Sequence, residues 1–295
     1  MRNMGERHMQ TRRPLGLLLI LISLLGFGMM QVFVAKTSAA VPVAEQMFFR
    51  NLIGFLAVAP LARLRGVPLL GTRAQQPALF TRSLGGYVGV LCMFYAARHA
   101  SLTDATIVSR LSLFMITIAA SVIFHERLTP GHIAAMAAAF AGSWIAAAPR
   151  FDSTALPLLA AFGSAVGTTV AYIMLSYFAG RADGLTVVTH FCAVSTVLSL
   201  PLMAGDFAIP RGGDLVCVLM IGVFAVAGQL GVTFAYQMAP AGEISLYDQL
   251  SIVVNALLAC LFLDQAPLAR TYIGGGLVLA AGAFLFWLKR REGQR

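Results

Sequence analysis

The chain has 295 residues, 59% of them hydrophobic and only 11% charged, with a mean hydropathy of +0.81. A soluble globular domain needs far more polar surface, so this composition excludes one and points to lipid as the main solvent. The formal charge of +9 does not signal nucleic acid, because the basic residues gather before the first apolar run (Arg2, Arg7, Arg12, Arg13) and after the last (Lys289, Arg290, Arg291, Arg295).

A helix needs about 20 apolar residues to cross a bilayer. Such runs occupy Pro14–Ala35, Ala44–Leu64, Pro77–Ala97, Leu102–Phe124, Pro130–Ala148, Leu156–Ala179, Leu185–Met203, Asp214–Met238, Glu243–Phe262 and Ala269–Lys289. The predicted fold class is therefore an all-α integral membrane protein with ten transmembrane helices. Proline stands at several starts (Pro14, Pro77, Pro130, Pro157), where its missing N–H costs nothing. The first run, with its basic start and Ser38-Ala39-Ala40 beyond it, has features of a secretory signal peptide. Its length and its counterpart in the second half argue against cleavage.

Lysine and arginine in the loops set the orientation. With both termini in the cytoplasm, 13 loop and tail cations lie inside and five (Lys36, Arg98, Arg150, Arg211, Arg270) outside. Cys92, Cys192, Cys217 and Cys260 all sit in apolar runs without pairing or metal-ligand spacing, and read as small apolar residues. No cluster of His, Cys and carboxylates has metal-ligand spacing and no glycine-rich phosphate loop is present, so neither metal nor cofactor is expected.

The two halves echo each other at an offset of 139 residues. Gly28 matches Gly167, Gly89 matches Gly228, Ala100 matches Ala239, Leu111 and Ser112 match Leu250 and Ser251, and Glu126 matches Gln265. Residues 14–148 and 149–288 then form two five-helix repeats between short cytoplasmic tails, 1–13 and 289–295. Five is odd, so the repeats insert with opposite orientation, the construction plan of many secondary transporters.

Thr81-Arg82-Ser83-Leu84-Gly85-Gly86, Phe94-Tyr95-Ala96-Ala97, Leu102-Thr103-Asp104-Ala105-Thr106, His125-Glu126-Arg127-Leu128-Thr129 and Phe48-Phe49-Arg50-Asn51 together resemble the EamA-type branch of the drug/metabolite transporter superfamily. The resemblance covers essentially the whole chain, twice over. It implies ten helices in two inverted repeats, a central cavity and carriage of small metabolites, often outward. The family commonly has a proline in the middle of the fourth and ninth helices; here Leu113 and Ile252 stand in those places. The second-half acidic motif reads Leu263-Asp264-Gln265, with glutamine where the first half has Glu126.

Ionisable residues within a span are costly and usually face the bundle interior or a wet cavity. Helix rise places Arg50 and Arg110 roughly 10 Å from the outer surface, and His190 and Asp248 roughly 8 Å from the inner one. These are two charged layers, and they argue against a direct Arg110–Asp248 contact. Arg50 either holds substrate or bonds backbone carbonyls, and His190 either binds or packs. Arg82 reads as a snorkelling side chain at an inner helix end, and Glu126 and Asp264 as caps or loop contacts. Gln31, Tyr172, Gln229, Tyr236, Tyr247 and Asn255 complete the candidate substrate site. The glycine-rich stretches Gly85-Gly86, Gly163–Gly167, Gly228–Gly231 and Gly274-Gly275-Gly276 suit close helix packing.

The expected function is secondary transport across the inner membrane by alternating access. The cargo is a small polar metabolite, an amino acid or related carboxylate-bearing compound, moving outward. Arginines would hold its carboxylate and Asp248 its amine. Asp248 and His190 are the deep groups suited to carry a coupled proton. The alternative cargo is a larger aromatic or cationic compound such as a vitamin or drug. The expected partners are the lipid bilayer and the small-molecule substrate, with no nucleic acid; a homodimer is compatible with the sequence. A membrane enzyme would need a clustered nucleophile or metal-ligand set at the membrane boundary, and none is found. A non-transporting receptor would show no exchange of solute across vesicles.

Overall fold

Long apolar runs without glycine-proline breaks satisfy every backbone group internally, which is why a chain in lipid folds as helices. The computed structural model describes residues 2–38, 40–99, 108–125, 128–147, 155–203, 207–263 and 269–292. The helices are α1 (Arg2–Lys36), α2 (Val43–Leu64), α3 (Gln76–His99), α4 (Ser112–Phe124), α5 (Pro130–Ala147), α6 (Ala155–Tyr177), α7 (Gly184–Met203), α8 (Gly213–Met238), α9 (Ala241–Asp248), α10 (Ser251–Leu263) and α11 (Ala269–Glu292). Seven stretches of the described residues are long and apolar enough to cross a membrane, α9 and α10 counting as one of 23 residues. With α3, α4 and α5 these make the ten spans of an all-helical membrane protein.

Two expectations change in detail. The first helix does not start at Pro14 but runs on from Arg2, with Pro14 inside it. A single proline removes one hydrogen bond and need not end a helix that lipid and its own apolar run support further on. The fourth and ninth spans are not continuous. The ninth breaks at Gln249–Leu250, and the fourth turns at Arg110–Leu111 before α4 begins.

The two breaks are the same event in the two repeats. Leu111 N–H donates to Val108 O at 3.1 Å and Leu113 N–H to Arg110 O at 3.1 Å. The residues 139 further on repeat the pattern: Leu250 N–H to Tyr247 O at 3.0 Å and Ile252 N–H to Gln249 O at 3.2 Å. Both are tight three-residue steps inside a span, a form that marks hinges and strained sites. Residues 102–107 of the fourth span lie outside the described residues, as do Glu126, Asp264 and Gln265.

The chain divides into two compact units, Met1–Leu84 with Met174–Ala239, and Gly85–Ile173 with Pro240–Arg295. In unit 1, α1 packs on α8 and α2 on both α7 and α8. In unit 2, α5 packs on α11 and α4 on α9. Second pairs with second, fourth with fourth and fifth with fifth span of the opposite repeat. The first span pairs with the third in the same exchanged sense, α1 on α8 and α6 on α3.

Glycine makes both crossings possible. A methyl on Gly26 of α1 would lie 2.6 Å from the Gly228 nitrogen of α8; one on Gly167 of α6 would lie 2.7 Å from Gly89 Cα of α3. In lipid, helices gain no hydrophobic energy by associating, so close backbone approach and interhelical hydrogen bonds hold them. Ser23 Oγ donates to Gly228 O at 2.8 Å across the first crossing.

Candidate functional site

Unit 1 gathers its polar groups where α2, α7 and α8 meet. Arg50, Asn51 and Gly54 of α2, Val188, Phe191 and Cys192 of α7, and Ala225, Val226 and Gln229 of α8 line a recess with room for about one water molecule. Arg50 Nη1 donates to Asn51 Oδ1 at 3.1 Å, and Asn51 Nδ2 donates to Met47 O at 2.9 Å. Arg50 Nε also reaches Met30 Sδ at 3.3 Å, and its guanidinium stands 6.0 Å from the centre of the Phe27 ring. Gln229 is buried, with Nε2 3.4 Å from Thr233 Oγ1.

The Arg82 expectation is overturned. Its side chain is 2% exposed and its guanidinium lies 4.0 Å from the centre of the Phe191 ring. An aromatic face attracts a cation, and burial strengthens that attraction, so Arg82 turns inward instead of snorkelling. Phe191 therefore lines the recess and also carries a second guanidinium.

His190 is a strut between α7 and α3. Gln76 Nε2 donates to Leu70 O, so Gln76 Oε1 is the atom facing His190 Nε2 at 3.3 Å. Nε2 thus carries the proton, and Nδ1 accepts from Ser83 Oγ at 2.9 Å. Tyr236 is buried, Ser176 Oγ donating to its backbone oxygen at 3.0 Å, whereas Gln31 is exposed.

Unit 2 holds the second group. Arg110 sits in the break of the fourth span and Asp248 at the last residue before the break of the ninth, both half-buried. Tyr172 of α6 belongs to the same unit. The expected separation of Arg110 and Asp248 into two layers assumed straight helices, and both helices break where these residues lie. Tyr247 is buried beside Asp248, while Asn255, about one turn into the ninth span's second half, is exposed. Thr117 Oγ1 and Ser245 Oγ lie 3.4 Å apart, and Ser143 Oγ donates to Gln249 Oε1 at 3.4 Å.

The ten candidates thus fall into two groups within separate units. Arg50, His190, Gln229 and Tyr236 lie in unit 1 with Gln31; Arg110, Tyr172, Tyr247 and Asp248 lie in unit 2 with Asn255. Sequence reasoning missed Asn51, Ser83, Gln76 and Gln249. A signal existed for two of them: Asn51 stands 139 residues before His190, and Gln249 stands 139 after Arg110. Among the described residues no group of three or more His, Cys, Asp or Glu side chains is placed to hold a metal ion.

Comparison with known proteins agrees with this architecture. The EamA-like transporter family model matches residues 14–148 and again 155–287. The pseudopaline exporter of Pseudomonas aeruginosa is 31% identical over 90% of this chain and 94% of its own length. The riboflavin transporter of Rhizobium johnstonii is 26% identical over 93% of this chain and 92% of its own, and human solute carrier family 35 member G1 is 25% identical over 90% and 77%. A solved crystal structure superposes with a TM-score of 0.80 over 95% of this chain and 99% of that one; at 24% identity it speaks for the fold alone. The chain belongs to the EamA-like transporter family.

Proposed function

We propose that this transporter exports a small carboxylate-bearing metabolite, an amino acid or a close relative, across the inner membrane by alternating access. The observation that carries the proposal is the placement of a basic and an acidic residue at the two equivalent helix breaks of unit 2. Arg110 lies in the break of the fourth span and Asp248 at the edge of the break of the ninth. A zwitterion matches that pair, its carboxylate on Arg110 and its amine on Asp248, with the Tyr172 hydroxyl adding direction. The loop cations favour cytoplasmic termini, and the likeness to a Pseudomonas aeruginosa exporter favours the outward direction. Asp248 is the group placed to exchange a coupled proton with the substrate's amine.

The test is counterflow in vesicles containing the purified protein, with labelled L-glutamate, L-aspartate, L-histidine and L-lysine as probes. Accumulation of at least one carboxylate-bearing probe, lost in Arg110→Gln, supports the reading. A second reading has its own support: riboflavin transporters are among the relatives, and an aromatic ring faces each of Arg50 and Arg82. Labelled riboflavin in the same vesicles separates the two. Riboflavin counterflow that survives Arg110→Gln, with no amino-acid counterflow, refutes the first.

A further inference from the structure

Unit 1 is tied together at both of its membrane faces by loop contacts that the two repeats place in equivalent positions but build from different chemistry. At one face, Asp214 in the first turn of α8 accepts from Ser38 N–H at 2.8 Å and from Ser38 Oγ at 2.6 Å. At the other, Gln75, which stands 139 residues before Asp214, donates from Nε2 to Arg181 O at 2.7 Å. Ser38 lies in the loop between the first and second spans, Arg181 in the loop between the sixth and seventh.

A second contact at each face joins the equivalent elements, though not at the 139-residue offset. Glu45, in the first turn of α2, accepts from Ala208 N–H at 2.6 Å in the loop that leads into α8. Thr186, in the first turn of α7, donates from Oγ1 to Pro68 O at 2.7 Å in the loop that leads to α3. One face therefore has carboxylates accepting from backbone N–H and hydroxyl groups. The other has a neutral amide and a hydroxyl donating to backbone carbonyls.

The two faces differ in strength for two reasons. A hydrogen bond to an ionised acceptor is roughly twice as strong as a neutral one. Glu45 and Asp214 also sit in the first turn of their own helices, where the helix dipole stabilises negative charge. Glu45 is 0% exposed, so water does not compete for its bond. Gln75 and Thr186 are neutral and gain neither from charge nor from the helix dipole; Thr186 is as buried as Glu45, whereas the Asp214 and Gln75 bonds are both exposed.

We infer that Glu45 and Asp214 are positioning residues for transport: they hold the carboxylate face of unit 1 closed, so that the unit flexes at the face held by Gln75 and Thr186. This goes beyond the substrate reading and does not depend on it. It concerns which end of the helices α1, α2, α7 and α8 gives way during alternating access, whatever the cargo.

Amide hydrogen exchange of the purified protein in lipid nanodiscs tests it without any substrate. In the wild type, peptides covering residues 36–46 and 207–215 exchange about tenfold more slowly than the one covering 66–76, whose bonded amides donate to neutral acceptors. In the double variant Glu45→Gln, Asp214→Asn the acceptor oxygens remain but the charge is gone, and the two faces exchange at nearly equal rates. In Glu45→Ala, Asp214→Ala the carboxylate face becomes the faster one, while the Gln75 face keeps its wild-type rate. Equal exchange at both faces in the wild type overturns the inference. So does a double variant in which both faces speed up together, because that reports general loosening of the fold. Failure of amino-acid counterflow leaves these outcomes untouched.

Discussion

Replacing Gly167 by alanine is a direct test of how the helices are held together. The added methyl would lie 2.7 Å from both Gly85 O and Gly89 Cα and 2.8 Å from Gly89 N, all backbone atoms of α3 that no rotamer change can move. Ordinary contact begins near 3.4 Å, so α3 and α6 must separate by about 0.7 Å along the whole crossing. Overpacking of this kind costs about 1–3 kcal/mol. Gly276 of α11 is the control, because a methyl there meets nothing within 4 Å. Its replacement by alanine gains a few tenths to about 1 kcal/mol of helix propensity. The assay is thermal unfolding of both purified variants in the same detergent, followed by intrinsic fluorescence. Gly167→Ala unfolds several degrees below the wild type and Gly276→Ala at or slightly above it. If Gly167→Ala is as stable as Gly276→Ala, the backbone crossing of the first and third spans does not hold the unit together.

Gly26→Ala, at the equivalent crossing in unit 1, loses stability to a similar extent in the same assay, since its methyl would lie 2.6 Å from Gly228 N. Ser23→Ala removes the hydroxyl bonded to Gly228 O and costs about 0.6 kcal/mol, a small but measurable fall in the unfolding midpoint. Arg110→Gln and Asp248→Asn each leave a half-buried charge without its counterpart and destabilise by about 1–3 kcal/mol in denaturant unfolding. The double variant recovers most of that loss. A double variant no more stable than the sum of the singles shows that the two charges do not act as a pair.

The repeat was legible in the sequence because inverted repeats keep equivalent residues at equivalent packing positions. The offset that aligns Leu111 with Leu250 also aligns the hydrogen bonds of the two breaks. The breaks themselves were not legible. Neither Arg110–Leu111 nor Gln249–Leu250 contains proline or glycine, the residues that announce an interrupted helix, and Leu113 and Ile252 occupy the places where the family resemblance implies proline. Straight helices were then the natural expectation, and the depths worked out for Arg110 and Asp248 took no account of the breaks beside them.

Arg82 failed for a different reason. Its position near a helix end is local information, whereas the ring that draws it inward, Phe191, belongs to the opposite repeat. Asn51 and His190 show the reverse case. Each is an isolated polar residue when taken alone, but their spacing of 139 marks them as counterparts, one bonded to Arg50 and the other to Ser83 and Gln76. Glu45 and Asp214 carried no sequence signal beyond their place in the first turn of a helix, because their donors, Ala208 and Ser38, come from distant loops.

The central claim is that Arg110 and Asp248 form the substrate's contact pair in a working transporter. Its most direct measurement is counterflow of labelled amino acids in vesicles containing the Arg110→Gln, Asp248→Asn double variant, prepared beside the wild type. Thermal unfolding of the same preparations shows whether the double variant is folded, so a loss of function in a folded variant cannot be put down to misfolding. The account predicts wild-type accumulation of a carboxylate-bearing probe and none above protein-free vesicles in the stable double variant. Accumulation by the double variant at the wild-type rate would contradict it.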